Sequence, residues 1–145
     1  MDNFKLGAKR SIVFVSHAQA GKTSLAEAML FAAGATSRRG TIAEGNTVSD
    51  YNSDEITRKN SINSSLLNLT WKNHFIQIID TPGYMDFIAD TICAVRAADA
   101  AIVLIDALTG IGVGTERAWD MLEEASLPRL IFINKIDKEN VNLDQ

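Results

Sequence analysis

The sequence predicts an α/β domain with a mostly parallel sheet, one antiparallel edge strand and helices on both faces. Three observations predict it. Short β-branched runs alternate with stretches of helical periodicity. Three polar clusters, SHAQAGKTS (16–24), DTPGY (80–84) and NKID (134–137), each begin where an apolar run ends, as sites do at the carboxyl ends of parallel strands. At 145 residues, the chain is long enough for one domain with a buried core and too short for two ordinary ones.

Residues 12–15 are a β-branched and aromatic run, the first strand. From Lys22, the apolar residues Leu25, Met29 and Ala33 recur at helical spacing until Gly34 stops them. Residues 35–65 are rich in Ser, Thr, Asn and Gly and keep neither period, which predicts a long irregular loop. A loop of that length in a compact domain is usually functional. Residues 66–71 and 75–79 are strands separated by Lys72, Asn73 and His74, which suits an antiparallel hairpin with His74 in the turn. Phe87, Ile88, Thr91, Ile92 and Val95 mark the next helix, on which Cys93 is expected to pack. Residues 100–105 are wholly apolar, like a strand buried in a parallel sheet. After the loop ALTGIGVG, the stripe Ala118, Met121, Leu122 and Ala125 marks a third helix, Pro128 follows, and residues 130–133 are the last strand.

Composition excludes several classes. A net charge of −4 gives no surface that grips nucleic acid or anionic lipid by charge alone, so direct sequence-specific nucleic-acid binding is not expected. A lone cysteine, Cys93, excludes an internal disulfide. The start MDNFKLGAKR lacks the apolar core of a signal peptide, and no apolar run approaches the roughly 20 residues that span a membrane. No membrane partner and a cytoplasmic location are the expectation.

The clusters carry chemistry. In AGKTS, Gly21 lets the backbone approach a phosphate, successive N–H groups and the helix start offer an anion site, and Lys22 adds a point charge. Thr23 is placed to give its hydroxyl to Mg²⁺. The pattern G-x-x-x-x-G-K-[ST] fails only at Ser16, tolerable if φ stays negative. Together with the predicted sheet this is the signature of a P-loop NTPase domain; a plain strand-to-helix turn is the alternative. DTPG alone is also an ordinary turn sequence. Downstream of GKT, however, Asp80 can hold Mg²⁺ through water and Gly83 can offer its N–H to a γ-phosphate. In NKID, Asp137 presents two acceptor oxygens to the N1–H and exocyclic amine that guanine has and adenine lacks. Asn134 can bond the base and the phosphate loop, and the Lys135 stem can cover the ring. A surface loop is the alternative for NKID taken alone.

In this order the residues resemble the translational GTPases, and within them elongation factor G, its paralogues and the ribosomal-protection proteins. SHAQAGKTS is similar to that family's Gly-His-x-x-x-Gly-Lys-Thr loop and DTPGYMDF to its Asp-Thr-Pro-Gly-His-x-Asp-Phe segment; NKID matches its guanine motif. Residues 35–62 resemble its first switch region. The resemblance implies GTP/GDP and Mg²⁺ as ligands, GTP hydrolysis, and the ribosome as partner of the full-length factor. It implies that Lys22 and the loop His17, Ala18, Gln19, Ala20, Gly21, Thr23 and Ser24 hold phosphates, that Thr23 and Ser61 ligate Mg²⁺, and that Tyr84 stands where a histidine orients the attacking water. Ser16 replaces the first loop glycine, Gln19 an aspartate, Lys59 a glycine, Ser61 a threonine and Tyr84 that histidine. A phenol positions water but takes up no proton near neutral pH, so slower hydrolysis is expected. His17 is read as a backbone-orienting or exposed loop residue. Arg58 and Lys59 are read as solvated charges that in this loop could also meet phosphate or ribosomal RNA.

The family implies a further strand, a base-contacting loop and several more domains after NKID. Residues 1–145 are therefore expected to be the amino-terminal portion of a GTP-binding domain, incomplete at the carboxyl end, within a larger factor. Three readings remain open at this stage: a ribosome-dependent GTPase of translation, with antibiotic protection as a variant task; a nucleotide-sensing switch with weak hydrolysis; and an ATP-using P-loop protein in which NKID is accidental.

Overall fold

A computed structural model describes residues 4–139 and 141. Five strands form one sheet: β1 (Lys9–Val15), β2 (Ser65–Trp71), β3 (His74–Asp80), β4 (Ala100–Asp106) and β5 (Arg129–Asn134), in the order β2-β3-β1-β4-β5. Only the β2–β3 pair is antiparallel; β1 pairs in parallel with β3 and β4, and β4 with β5. The helices are α1 (Lys22–Ala32), α2 (Ser53–Arg58), α3 (Ile88–Ala97) and α4 (Val113–Glu124), with 3₁₀ turns at Leu6–Ala8 and Met85–Phe87.

Successive side chains of a strand point to opposite faces, and here both faces are covered. Val13, Val15 and Val103 pack with Ala94 and Val95 of α3 and Ala118 and Leu122 of α4. Phe14, Ile78 and Leu104 pack on the other face with Ala26 and Leu30 of α1. The parallel alignment of β1, β3, β4 and β5 brings their carboxyl ends to one edge. The three polar clusters leave from that edge.

Three sequence expectations need correction. The loop 35–65 contains a helix, α2, whose six residues are too few to show a period. Its local cause is Asn-x-x-Glu: the Glu55 carboxylate accepts from the Asn52 backbone N–H at 3.4 Å and from Asn52 Nδ2 at 3.1 Å. His74 is not in the hairpin turn. It opens β3 opposite Trp71, and Lys72 and Asn73, with φ of +45° and +65°, make a two-residue turn. Lys-Asn lacks the glycine that normally advertises such a turn. Cys93 is exposed rather than packed, because α3 turns Thr91, Ala94 and Val95 inward.

The long loop is also fastened by two buried carboxylates. Glu27 on α1 accepts from the backbone N–H groups of Gly40 at 2.9 Å and Val48 at 2.5 Å. Glu55 accepts from those of Ile62 at 2.9 Å and Asn63 at 3.1 Å. Glu55→Ala is expected to lower stability by about 1–2 kcal/mol, since these part-buried donors lose their acceptor. Urea unfolding measures it. A loss below about 0.5 kcal/mol, the range of neutral surface changes, would mean that the loop is held by other contacts.

Candidate functional site

The loop after β1 is a closely fitted structure. Ser16 keeps a negative φ, so its Cβ is accommodated, and its Oγ lies 3.0 Å from Lys22 Nζ, which donates to it. The Lys22 ammonium also faces the His17 carbonyl at 3.5 Å. Serine in the first-glycine position thus becomes part of the lysine's seat. Gln19 and Gly21 turn the chain with φ of +64° and +101°. A Cβ on Gly21 would come within 2.2 Å of Asn134 Nδ2, so only glycine fits there.

The DTPG segment closes on this loop from β3. Thr81 is fully buried and donates to the Phe14 carbonyl at 2.6 Å, tying the segment to β1. A Cβ on Gly83 would meet Ala18 Cα and Lys22 Nζ at 2.6 Å, so its backbone lies against the lysine. Thr23 Oγ1 donates to Asp80 Oδ2 at 2.7 Å and lies 3.2 Å from Ser61 Oγ. Residues 38 and 57 positions apart in the chain from Thr23 therefore meet at one hydroxyl.

These groups are buried at an electrostatic cost. Burial raises the Asp80 carboxyl from its ordinary 3.8 to about 6, opposed by the Thr23 hydrogen bond and the Lys22 charge. Burial likewise lowers Lys22 from 10.5 to about 8, opposed by Asp80 and Asp50. Asp50 is raised too, chiefly by burial. Asp80 Oδ1 and Asp50 Oδ1 are buried without a hydrogen-bond partner. A buried acceptor without a donor is unfavourable unless something else is bound there.

NKID completes the site from β5. Asn134 Nδ2 donates to the Ala20 carbonyl at 2.8 Å, and Lys135 Nζ donates to the Gln19 carbonyl at 2.9 Å and to Asp106 Oδ2 at 2.6 Å. Burial works against the Asp106 charge, yet the Lys135 ammonium and the Leu108 N–H hold its carboxyl below the usual range. The third cluster is thereby stitched to the first across 114 residues.

A cleft of about 570 Å³ runs between the clusters. Its walls include Ala18, Gln19, Gly21, Lys22, Thr23, Ser24, Ser61, Gly83, Tyr84, Asn134 and Lys135. Lys22, Lys135 and the backbone of residues 18–24 give the cleft the cations and N–H donors that an anion requires.

A model of the family described as the elongation factor Tu GTP binding domain matches residues 8–145. The chain belongs to that family. The GTP-binding domain is 36% identical over 138 residues to ribosome-releasing factor 2, mitochondrial, of Candida dubliniensis, and 38% identical over 136 residues to the Drosophila melanogaster protein of the same name. These matches take in 95% and 94% of the chain but 17% and 18% of the relatives, so the chain spans under a fifth of either one. A solved structure of a protein from Thermus thermophilus superposes with a TM-score of 0.83 at 40% identity, over 86% of this chain and 19% of that one.

Within the GTP-binding domain, not every residue singled out from sequence faces the cleft. His17 packs its ring on Gly112 and Gly114 at the start of α4, and its backbone N–H donates to Thr115 Oγ1 at 3.3 Å. Ala20 is buried in the core and serves the site through its carbonyl. Asp80 lies beneath Thr23, fully buried. Asp137 is exposed beyond the end of β5, one residue before Lys138, which does line the cleft. Sequence reasoning missed Asp50, Asp106, Glu27 and Glu55. Glu27 carried a usable signal: it lies four residues after Thr23 and three before Leu30, on the buried face of α1. Asp50 sits in a loop, Asp106 at the end of β4 and Glu55 on the six-residue α2, where no period marks them.

Proposed function

We propose that this chain is the guanine-nucleotide-binding portion of a ribosome-associated GTPase, with residues 1–145 the amino-terminal part of a larger factor. The observation that carries the reading is the joining of the three clusters: Asn134 and Lys135 are bonded to the carbonyls of Ala20 and Gln19, so base end and phosphate end form one site. The relatives' name, ribosome-releasing factor 2, supports a partner on the ribosome and a step of translation. It favours that task over antibiotic protection. Those relatives are mitochondrial by name, and a ribosome-containing compartment, cytoplasm or mitochondrion, is the location we infer. Among the described residues no helix is long and apolar enough to cross a membrane.

In this reading Lys22 and the N–H groups of residues 18–24 hold the phosphates, Gly83 offers its N–H to the terminal one, and Asp137 and Asn134 read the guanine edge. Magnesium fits the donor set. Thr23 Oγ1 lies between Asp80 Oδ2 and Ser61 Oγ, and the Oδ1 atoms of the buried Asp80 and Asp50 have no hydrogen-bond partner, an all-oxygen set of the kind magnesium takes. Thr23 and Ser61 would hold it directly and Asp80 through water; when bound it neutralises charge on phosphate oxygens. Tyr84, 39% exposed on the cleft wall, can orient water through its phenol without accepting its proton. That favours slow intrinsic hydrolysis, with the chain acting between turnovers as a GTP-versus-GDP switch.

Calorimetric titration with GDP and, separately, ADP in the presence of Mg²⁺ tests the site. Binding of GDP without a signal for ADP is expected. Comparable heats from both would replace the guanine reading by that of an ATP-using P-loop protein. For turnover, phosphate release by the full-length factor is expected to rise when ribosomes are added, and an unchanged rate would remove the enzyme reading.

A further inference from the structure

Lys59 is a cation of the cleft held in a backbone conformation that glycine usually takes. It ends α2 in the left-handed region, with φ of +54° and ψ of +38°. Glycine adopts that conformation freely and is the common residue at such a helix end, whereas a lysine there is strained. A strained residue persists where the surrounding structure determines it, and such residues gather at ligand sites.

The surroundings do determine it. The Lys59 N–H donates to the Ile56 carbonyl at 3.3 Å and the Asn60 N–H to the Glu55 carbonyl at 3.2 Å. Beyond them, the buried Glu55 side chain holds the backbone of Ile62 and Asn63. Lys59 is therefore presented from a fixed platform two residues before Ser61, whose Oγ lies 3.2 Å from Thr23 Oγ1. It lines the same cleft as Lys22, Ser61, Gly83 and Tyr84. Gly83 lies against Lys22 and Ser61 against Thr23, and in the nucleotide reading above the last phosphate falls at this group, whose Ser61 is two residues along the chain from Lys59. Among the described residues the Lys59 ammonium makes no ion pair and no hydrogen bond, so it is available to a ligand.

We propose that Lys59 is a specificity-determining contact: its ammonium engages the terminal phosphate of a nucleoside triphosphate, so that the ordered 35–64 loop favours triphosphate over diphosphate. The proposal rests on the nucleotide reading above, and it assigns this cation to the chain itself rather than to a partner. A triphosphate brings an additional charged phosphoryl group to the Ser61 end of the cleft, and a diphosphate does not. A charge-assisted contact made only to that group changes the ratio of the two affinities.

The test is titration of the chain with GDP and with a non-hydrolysable GTP analogue, both with Mg²⁺, for the wild type and Lys59→Gly, Lys59→Gln and Lys59→Arg. The analogue-to-GDP affinity ratio is expected to fall about tenfold in Lys59→Gly and Lys59→Gln and to be kept in Lys59→Arg. Lys59→Gly is also expected to raise the thermal midpoint by about 2–5 °C, because glycine relieves the left-handed backbone; Lys59→Gln is not. A fall in triphosphate preference shared by Lys59→Gly and Lys59→Gln, with stability rising only in the first, separates the lost charge from a change in backbone freedom. A ratio unchanged within about twofold in both variants, with the wild type binding both nucleotides, overturns the proposal and leaves the guanine site standing. A fall in Lys59→Gly that Lys59→Gln does not share traces to backbone freedom and overturns it too. A wild type that binds neither nucleotide removes the guanine reading, and this proposal with it.

Discussion

Replacing Asp137 by asparagine is expected to weaken GDP binding by about three orders of magnitude and to make xanthosine diphosphate the better ligand. The reason is donor and acceptor geometry. Guanine presents two adjacent donors, N1–H and the exocyclic amine, and a carboxylate offers an acceptor to each. An asparagine amide offers one acceptor and one donor, so one N–H of the base would face another N–H in a partly closed site. Xanthine carries a carbonyl where guanine carries the amine, and its donor–acceptor pair matches the amide. Asp137 is exposed beyond β5, so the substitution should leave the thermal midpoint of the free chain where it was. Calorimetric titration with the two diphosphates reads the result. Equal losses for both would show that Asp137 does not read the base.

Asp80→Asn should move stability and binding in opposite directions. At pH 7.5 the free chain is expected to gain about 2 kcal/mol, while the Mg²⁺-dependent part of nucleotide binding falls at least tenfold. The sign follows from the carboxyl's folded value of about 6 against an ordinary 3.8, with burial as the main cause. A carboxyl raised on folding contributes stability that is fully present below about 3.8 and is lost as pH rises through about 6. Two units correspond to about 3 kcal/mol, and removing the charge that partly balances Lys22 takes some of this back. Asparagine is never ionised and keeps an acceptor for the Thr23 hydroxyl, so the gain should be present at pH 7.5 and vanish near pH 4. Denaturant melts at the two pH values decide it. A variant less stable than the wild type at pH 7.5 would mean that the Asp80 charge is held favourably in the free chain, and the view of a carboxylate waiting for a cation would have to be abandoned.

Much of this was legible in the chain because it depends on local pattern. The run 100–105 is apolar throughout because β4 has a covered face on either side. GKT reads as a phosphate loop because glycine, lysine and hydroxyl are needed at consecutive positions. What stayed hidden has physical causes as particular. The two-residue turn of the β2–β3 hairpin is made by Lys72 and Asn73 without glycine, and α2 is shorter than two helical turns. Glu55 in a polar loop looks like any solvated carboxylate until the backbone of Ile62 and Asn63 is found folded onto it. Cys93 was misplaced because helical period gives the width of an apolar stripe but not which neighbours cover its margin.

The alternation of strand and helix and the three clusters at strand ends were legible in the chain alone, since each is written within a few consecutive residues. Tertiary structure decided the rest. It placed Ser16 as a seat for Lys22, gathered Thr23, Asp80 and Ser61 at one hydroxyl, bonded Asn134 to Ala20, and turned the ring of His17 away toward α4. Hydrogen bonds between residues far apart in the chain, and the pKa shifts produced by burying charges together, exist only once the sheet has brought those residues to a common edge.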